Sequence, residues 1–252
     1  MNLSLEGKKA VITGGGKGLC REIAEAYYEA GAEIVLVGST DKAIKTAKEI
    51  KTGSQSVHAV IGDLSKRDDI ERIYEQSLEK LDGRIDILVN GAGVQYRSPI
   101  EDFPMEEWDK VMRINLEAVF RMSQLTGRTM LRQQYGKIIN IASMTSYFGS
   151  VMIPAYTASK AGVAQLTKAF SNEWASRGIN VNAIAPGYMA TELTDTMREK
   201  NPAQYMEITN RIPMGRWGKA EDLKGISVFL ASDLAAYISG AIIPVDGGFL
   251  GK

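Results

Sequence analysis

The sequence predicts an α/β protein whose parallel sheet is covered by helices on both faces. Three observations carry this. Short β-branched apolar runs alternate with helical stretches along the 252 residues. The first run ends in a glycine cluster that opens directly into a helix, an arrangement that holds a phosphate against helix N-terminal amides. Polar and glycine residues collect at the C-terminal ends of the runs, where ligands bind on such sheets.

The elements follow in order. The first strand, Lys9–Thr13, runs into Gly14, Gly15, Gly16, Lys17 and Gly18. The next helix carries Cys20, Ile23, Ala24 and Tyr27 on one face and stops at Gly31. A strand over 33–37 is followed by a helix over 40–51, a strand over 57–61, a helix over 66–81 and a strand over 85–89. A long helical region over 105–134 leads into a strand over 137–141. A helix carrying Tyr156 follows, on which Val163, Leu166, Phe170 and Trp174 repeat at helical spacing, the mark of a core-facing stripe. Strands over 179–185 and 241–245 complete seven. Between these last two, residues 188–217 are polar and methionine-rich, and a connection of that length reads as a substrate lid. With no repeat, low-complexity segment or boundary in the sequence, residues 1–252 read as a single domain.

Composition narrows the chemistry. Thirty basic and thirty acidic residues give zero formal net charge, so neither a nucleic-acid footprint nor a polybasic membrane patch is expected. One cysteine and one histidine, Cys20 and His58, argue against an internal disulfide, a metal centre and a Ser-His-Asp triad. The absence of a signal-like N-terminus and of a long apolar run makes the cytoplasm the expected location.

One stretch organises the rest. Ser143 is followed by Tyr156, and Lys160 lies four residues further on. Residues four apart share a helix face, so Tyr156 and Lys160 can aim a phenol and an ammonium at one point. A cation beside a phenol favours the phenolate and lowers its pKa toward neutrality, where a general acid or base works best. Such a pair can move a proton on and off an alcohol. The same spacing also arises by accident on exposed helices, so the context must decide.

That context resembles the short-chain dehydrogenase/reductase family. Thr13-Gly14 with Gly18, Asn90 with Ala92-Gly93, Asn115, Ser143, Tyr156 with Lys160, and Pro186-Gly187 with Thr191 stand in the family's order and spacing, down to Val245-Asp246-Gly247-Gly248. The resemblance implies a Rossmann-type doubly wound sheet, a bound nicotinamide dinucleotide and hydride transfer between it and a carbonyl or alcohol. It implies four catalytic residues. Tyr156 is the acid in reduction and the base in oxidation, Lys160 lowers its pKa and holds the ribose, Ser143 binds the substrate oxygen, and Asn115 supports a proton relay.

The dinucleotide is expected against Gly14, Gly16, Lys17, Gly18 and Leu19, then Ser39 and Thr40, then Asp63 and Leu64, with Asp63 on the adenine amino group. Asn90, Ala92 and Gly93 follow, then Tyr156 and Lys160, then Pro186, Gly187, Met189 and Thr191. The absence of a carboxylate at Gly38 or Ser39 and the presence of Lys17 in the glycine loop favour NADP(H), with NAD(H) possible and Asp41 the feature against. Two positions depart from the family pattern. Cys20 replaces a glycine, reading as a buried core residue or a redox-active thiol, and Gly91 replaces an asparagine, which puts the rigidity of the supporting loop in question.

Residues 182–191, 211–218 and 221–225 resemble the gluconate 5-dehydrogenase and 2-dehydro-3-deoxy-D-gluconate 5-dehydrogenase branch of the family. A sugar acid such as gluconate/5-keto-gluconate or 2-dehydro-3-deoxy-gluconate calls for an arginine among polar groups. Arg97 is the candidate, with a solvated surface arginine as the other reading. Thr145 and Tyr188 join Ser143 and Tyr156 at the substrate, with Met144 and Met189 lining the pocket. Arg211, Arg216 and Trp217 are expected to serve lid packing or subunit contact. Relatives build homotetramers through the Tyr156 helix and the long helix before it, and a homotetramer is expected here. A 3-oxoacyl thioester reductase is the alternative enzyme, and a non-catalytic dinucleotide sensor the alternative outside catalysis.

Overall fold

The structure, a computed structural model, describes residues 3–190 and 201–251. At its centre is one sheet of seven strands in the order β3-β2-β1-β4-β5-β6-β7, with every neighbouring pair parallel. The strands are β1 Lys9–Thr13, β2 Glu33–Gly38, β3 Val57–Ile61, β4 Ile87–Asn90, β5 Gly136–Ile141, β6 Ile179–Pro186 and β7 Ile242–Val245. β4 is displaced furthest from expectation, and Gln133 explains it. Its side-chain amide accepts from the Ile85 N–H at 3.2 Å and donates to the Ile85 carbonyl at 2.8 Å. The Ile85 main chain is thus satisfied by a side chain, and bonding to the neighbouring strands starts only at Asp86, whose N–H donates to the Lys9 carbonyl at 2.8 Å.

The helices are α1 Gly18–Glu29, α2 Lys42–Ile50, α3 Arg67–Lys80, α4 Met105–Met112, α5 Ala118–Gln133, α6 Pro154–Trp174, α7 Pro202–Asn210 and α8 Lys224–Ala231. A π-helical stretch, Arg113–Glu117, joins α4 to α5, so the helical region expected over 105–134 is one rod with a widened turn. The region 188–217, expected to form a lid, contains α7, while its residues 191–200, Thr191 included, lie outside the described residues.

The strands alternate faces with a period of two. Ala10, Ile12, Ile34, Leu36, Ile87 and Val89 point into a core layer shared with α1, α2 and α8. Val11, Val35, Val37, Leu88 and Ile138 point into a second layer built with α3, α5 and α6. Sequence runs that are apolar at every position are thus explained by burial on both faces. The α6 stripe is core as expected: Phe170 and Trp174 stack at 4.7 Å in the second layer, Val163 is buried, and Leu166 is half-buried against that layer. Strand order reverses between β1 and β4, and the loops leaving them diverge to open a crevice at the C-terminal edge of the sheet.

Candidate active site

The floor of the crevice is packed backbone against backbone. A Cβ on Gly14 would stand 3.0 Å from the Ala92 main chain, one on Gly15 2.9 Å from the Leu36 side chain, and one on Gly16 2.9 Å from the Ala43 amide. Gly18 differs: its φ is +57° and the space beside it is open. There α1 begins with Lys17 as an N-cap that makes no side-chain bond and with no acidic residue in the first turn. The first amides of a helix have no intrahelical partner and carry its positive end, so this terminus suits the pyrophosphate of a dinucleotide.

Ser39, Thr40 and Lys17 are exposed, while the nearby Asp41 carboxylate is paired with Lys45 at 3.1 Å. After β3, Asp63 accepts from the Ser65 hydroxyl at 2.7 Å and the Ser65 N–H at 2.9 Å, which hold its carboxyl below the usual range. Leu64 is buried beside it. Asn90 is turned away from the crevice. Its amide donates to Ser123 and Asn140, each at 2.9 Å, inside the protein, so only its main chain can face a ligand. Thr13 ties the two loops together, its hydroxyl accepting from the N–H groups of Gly91 at 3.0 Å and Ala92 at 3.2 Å.

The two departures from the family pattern answer one another. A Cβ on Gly91 would lie 2.0 Å from the Cys20 sulfur. The volume added to α1 by the cysteine is thus the volume given up by the β4 loop, and no slack is left between them. Burial pushes the Cys20 thiol up to about 12, against a smaller opposing pull from Lys160, so the thiolate that a redox role requires does not form near neutrality.

The widened turn Arg113–Glu117 buries Asn115 completely. Its carboxamide accepts from the Val94 N–H at 2.8 Å and donates to the Val94 carbonyl at 2.9 Å and the Ser159 hydroxyl at 3.2 Å. Ser159 in turn donates to the Tyr156 carbonyl at 2.7 Å, which joins the two helices. Ser143 ends the loop after β5 and caps a short 3-10 turn, Met144–Ser146, through its hydroxyl and the Thr145 N–H at 3.1 Å. Lys160 is buried, donates to the Ile141 carbonyl at 2.6 Å and sits 5.7 Å from the centre of the Tyr156 ring. Gly93 completes the group, since a Cβ there would be 3.4 Å from the Asn115 oxygen and 3.8 Å from the Lys160 nitrogen.

Burial is the largest influence on both titrating groups. It lowers Lys160 to about 8, with Cys20 pulling weakly the other way, and it raises the Tyr156 phenol, with Ser143 drawing it back down. The depressed phenol expected from the Tyr-Lys spacing is therefore not what the protein alone produces. The ammonium is engaged by Ile141, and desolvation of the phenol outweighs the hydrogen bond from Ser143.

From this group a cleft of about 840 Å³ runs outward. Ser143, Thr145, Tyr156, Pro186 and Gly187 line its inner part. Arg97, Tyr188, Met189, Arg211 and Trp217 line the rest, so Arg97 reaches the cleft as expected and Arg211 joins it. Thr145 is buried and its hydroxyl has no hydrogen-bond partner among the described residues. Aromatic packing forms the outer wall: Tyr188 lies 5.2 Å from Trp217 and 5.5 Å from Phe249, and Tyr205 stacks on Trp217 at 4.8 Å. Arg216 is committed elsewhere, with its two terminal nitrogens on the Asp222 carboxylate at 2.7 and 3.0 Å.

A family model for short chain dehydrogenases matches residues 8–202. The chain belongs to the short-chain dehydrogenase family. Its members' chemistry, NAD(P)-dependent oxidation and reduction at CH–OH groups, is therefore the chemistry of this chain. The chain is 46% identical over 250 residues to a 2-dehydro-3-deoxy-D-gluconate 5-dehydrogenase of Bacillus subtilis, covering 99% of this chain and 97% of that one. It is 34% identical to a 3-oxoacyl-(acyl-carrier-protein) reductase of Aquifex aeolicus, covering 98% and 99%. Among solved structures, a gluconate 5-dehydrogenase from Burkholderia cenocepacia in complex with NADP and tartrate matches with a TM-score of 0.93 at 35% identity, covering 100% and 98%.

Several parts of the site are not singled out by the sequence patterns: Thr13 as the tie between loops, Ser159 as the link between helices, and Phe249 as part of the wall. Ser159 stands next to Lys160, and that adjacency is the one signal that could have marked it. No motif marks Phe249.

Proposed function

We propose that the protein is an NADP(H)-dependent dehydrogenase interconverting a secondary hydroxyl and a ketone on a sugar acid, of the gluconate/5-keto-gluconate or 2-dehydro-3-deoxy-gluconate type. The observation that carries this is the cleft itself, which joins Ser143 and Tyr156 at one end to an arginine-bearing polar mouth at the other. The 46% identity to a dehydrogenase of 2-dehydro-3-deoxy-D-gluconate supports the same substrate class. NADP(H) is supported by exposed Lys17, Ser39 and Thr40 and by the pairing of Asp41 with Lys45, which blunts the one nearby carboxylate.

When bound, the nicotinamide supplies or accepts the hydride. In reduction, Tyr156 delivers its phenolic proton to the carbonyl oxygen, and in oxidation it takes that proton back. Ser143 donates to the same oxygen and keeps it within reach of the phenol. Lys160 holds positive charge beside the phenol and favours the phenolate once the proton has left. Asn115 fixes Val94 and, through Ser159, the first turn of α6, which sets the aim of Tyr156. Thr145 offers its unpartnered hydroxyl to a substrate hydroxyl, and Tyr188 closes over the sugar chain. Arg97 attracts the acid group.

The test is oxidation of NADPH and NADH, followed at the nicotinamide absorbance, against keto-sugar acids, simple ketones and an acetoacetyl thioester. Turnover of a keto-gluconate with NADPH is expected, and turnover of the thioester alone would assign the reductase reading instead. Tyr156→Phe should lower kcat by roughly 10²- to 10⁴-fold while NADPH binding persists.

A homotetramer is supported by the face of α5 and α6 that bears an apolar groove lined by Leu116, Phe120, Gly162 and Leu166. Light scattering on the purified protein reads that mass directly. Among the described residues no helix is long and apolar enough to cross a membrane, and a single unpaired cysteine suits the reducing cytoplasm.

A further inference from the structure

Two arginines stand at the C-terminal end of α7, and the structure treats them differently. Arg216 is spent on Asp222, two nitrogens on one carboxylate, and a third bond runs to the Trp217 carbonyl at 3.0 Å. Arg211 lines the cleft, and among the described residues it has no ion pair, although Glu207 lies four residues earlier on the same helix and also lines the cleft. What holds Arg211 is a ring. Its guanidinium carbon lies 4.9 Å from the centre of Phe249. A cation–π contact neither neutralises the guanidinium nor uses all five of its N–H donors, so it can still bind a carboxylate.

Phe249 is itself held in place. It packs between Tyr188 at 5.5 Å and Phe148 at 5.9 Å, and the Asp246 carboxylate accepts from the N–H groups of Gly248 and Leu250 on either side of it. The segment before it is pressed onto the lid. The Met214 N–H donates to the Gly247 carbonyl at 3.1 Å, and a Cβ on Gly247 would meet the Ile212 side chain at 2.7 Å. The ring is thus held by two neighbouring rings and by the hydrogen-bonded turn that carries it, and the Arg211 guanidinium lies over it.

We propose that Arg211, oriented by the Phe249 ring, is the specificity-determining residue that binds the substrate carboxylate from the lid side, opposite Arg97 on the β4 side. Phe249 is the positioning residue for it. This rests on the sugar-acid reading and adds to it the residue that reads the acid. The cleft offers the two ends of the substrate different chemistry: the hydroxyls of Ser143, Thr145 and Tyr156 on one part of its lining, and on another Arg97 and Arg211, which make no ion pair among the described residues. A carboxylate entering between Arg97 and Arg211 fixes which carbon reaches Tyr156.

The experiment compares a keto-gluconate with the same keto-polyol carrying CH2OH in place of the carboxylate, both with NADPH. Arg211→Met should raise KM for the acid by about 10- to 100-fold and change its kcat, and the turnover of the neutral polyol, by about two-fold at most. Phe249→Leu should raise KM for the acid alone by a smaller factor, with Phe249→Tyr restoring most of it. Arg216→Met is the control and should not separate the two substrates. Equal losses on acid and polyol in the Arg211 variant, or an unchanged KM for the acid, would overturn the assignment. If the parent enzyme turns over neither substrate, the sugar-acid reading fails and this inference falls with it, an outcome visible before any variant is made.

Discussion

The floor and the outer wall of the cleft are built by opposite means. On the floor, main chain closes directly on its neighbours: Gly14 against the Ala92 main chain, Gly16 against the Ala43 main chain, and Gly91 against the Cys20 sulfur, with no room for a methyl group. On the wall, side chain meets side chain: Tyr205 on Trp217, Trp217 on Tyr188, Tyr188 on Phe249, with the Trp217 indole N–H on the Thr209 hydroxyl at 2.9 Å. Backbone contacts cannot repack, whereas aromatic rings can tilt and slide at small cost. The difference teaches that the floor suits a ligand that is always the same, and the wall one whose shape distinguishes one relative from another.

The largest test of the rigid floor uses the charge it buries. Lys160 titrates at about 8 in the folded protein, below the ordinary lysine value of 10.5. Between those two values the unfolded chain holds a proton at this site that the folded one has lost, so Lys160 contributes a rise in stability with pH of on the order of 3 kcal/mol in all, opposed above about 9 by the raised Cys20 thiol and the raised Tyr27 and Tyr135 phenols. Below about 8 both states are protonated and the cost of burying the ammonium is paid in full. Urea unfolding at a series of pH values should show this contribution as the stability difference between the parent and Lys160→Met, which rises with pH through the window. An unchanged profile would mean that the floor opens to water around the ammonium.

Next in size is the pairing of Cys20 with Gly91. Gly91→Asn should destabilise the protein by about 1–3 kcal/mol through overpacking and weaken NADPH binding with it. Combining it with Cys20→Gly should recover most of both, a coupling that thermal unfolding and NADPH titration of the four proteins would read. Additive losses would show that the floor has slack after all.

The wall should respond more mildly. Tyr205→Leu removes one stacked ring and should cost about 0.5–1.5 kcal/mol. Its main effect should be a rise in KM for the substrate with kcat little changed. A loss of NADPH binding in this variant would break the division between wall and floor. The smallest expected effect is chemical: Cys20, buried and pushed up to about 12, should not react with a thiol reagent in the folded protein and should react once urea unfolds it.

Legibility in the sequence divides along the same line. The central strands can be read from apolar runs because burial on both faces writes itself locally, and the largest shift, at β4, comes where Gln133 reaches back to Ile85. Tyr156 and Lys160 are legible because helical spacing alone brings them together. The reciprocal fit of Cys20 and Gly91 is not, since each looks like an isolated departure until the two loops are laid on one another. Asn90 stands in a ligand-facing motif, yet its amide serves Ser123 and Asn140, a direction set by the register of β4 on β5. Arg211 reads as lid packing from its surroundings in the chain, and the ring of Phe249 beneath it is contributed from far along the chain, by the last residues described.

The π-helical stretch at Arg113–Glu117 carries a consequence for how this rod tolerates change in length. Each residue removed from a helix turns everything beyond it by about 100° and draws it back by about 1.5 Å. Deleting one residue there would allow regular hydrogen bonding from α4 through α5, a locally better helix. The widened turn already absorbs that rotation, so α5 would keep its phase on the core, but the bulge that holds Asn115 against Val94 would be lost. The irregular turn thus takes up one residue without re-phasing α5, and a shortened rod would gain helical regularity at the expense of the loop it anchors.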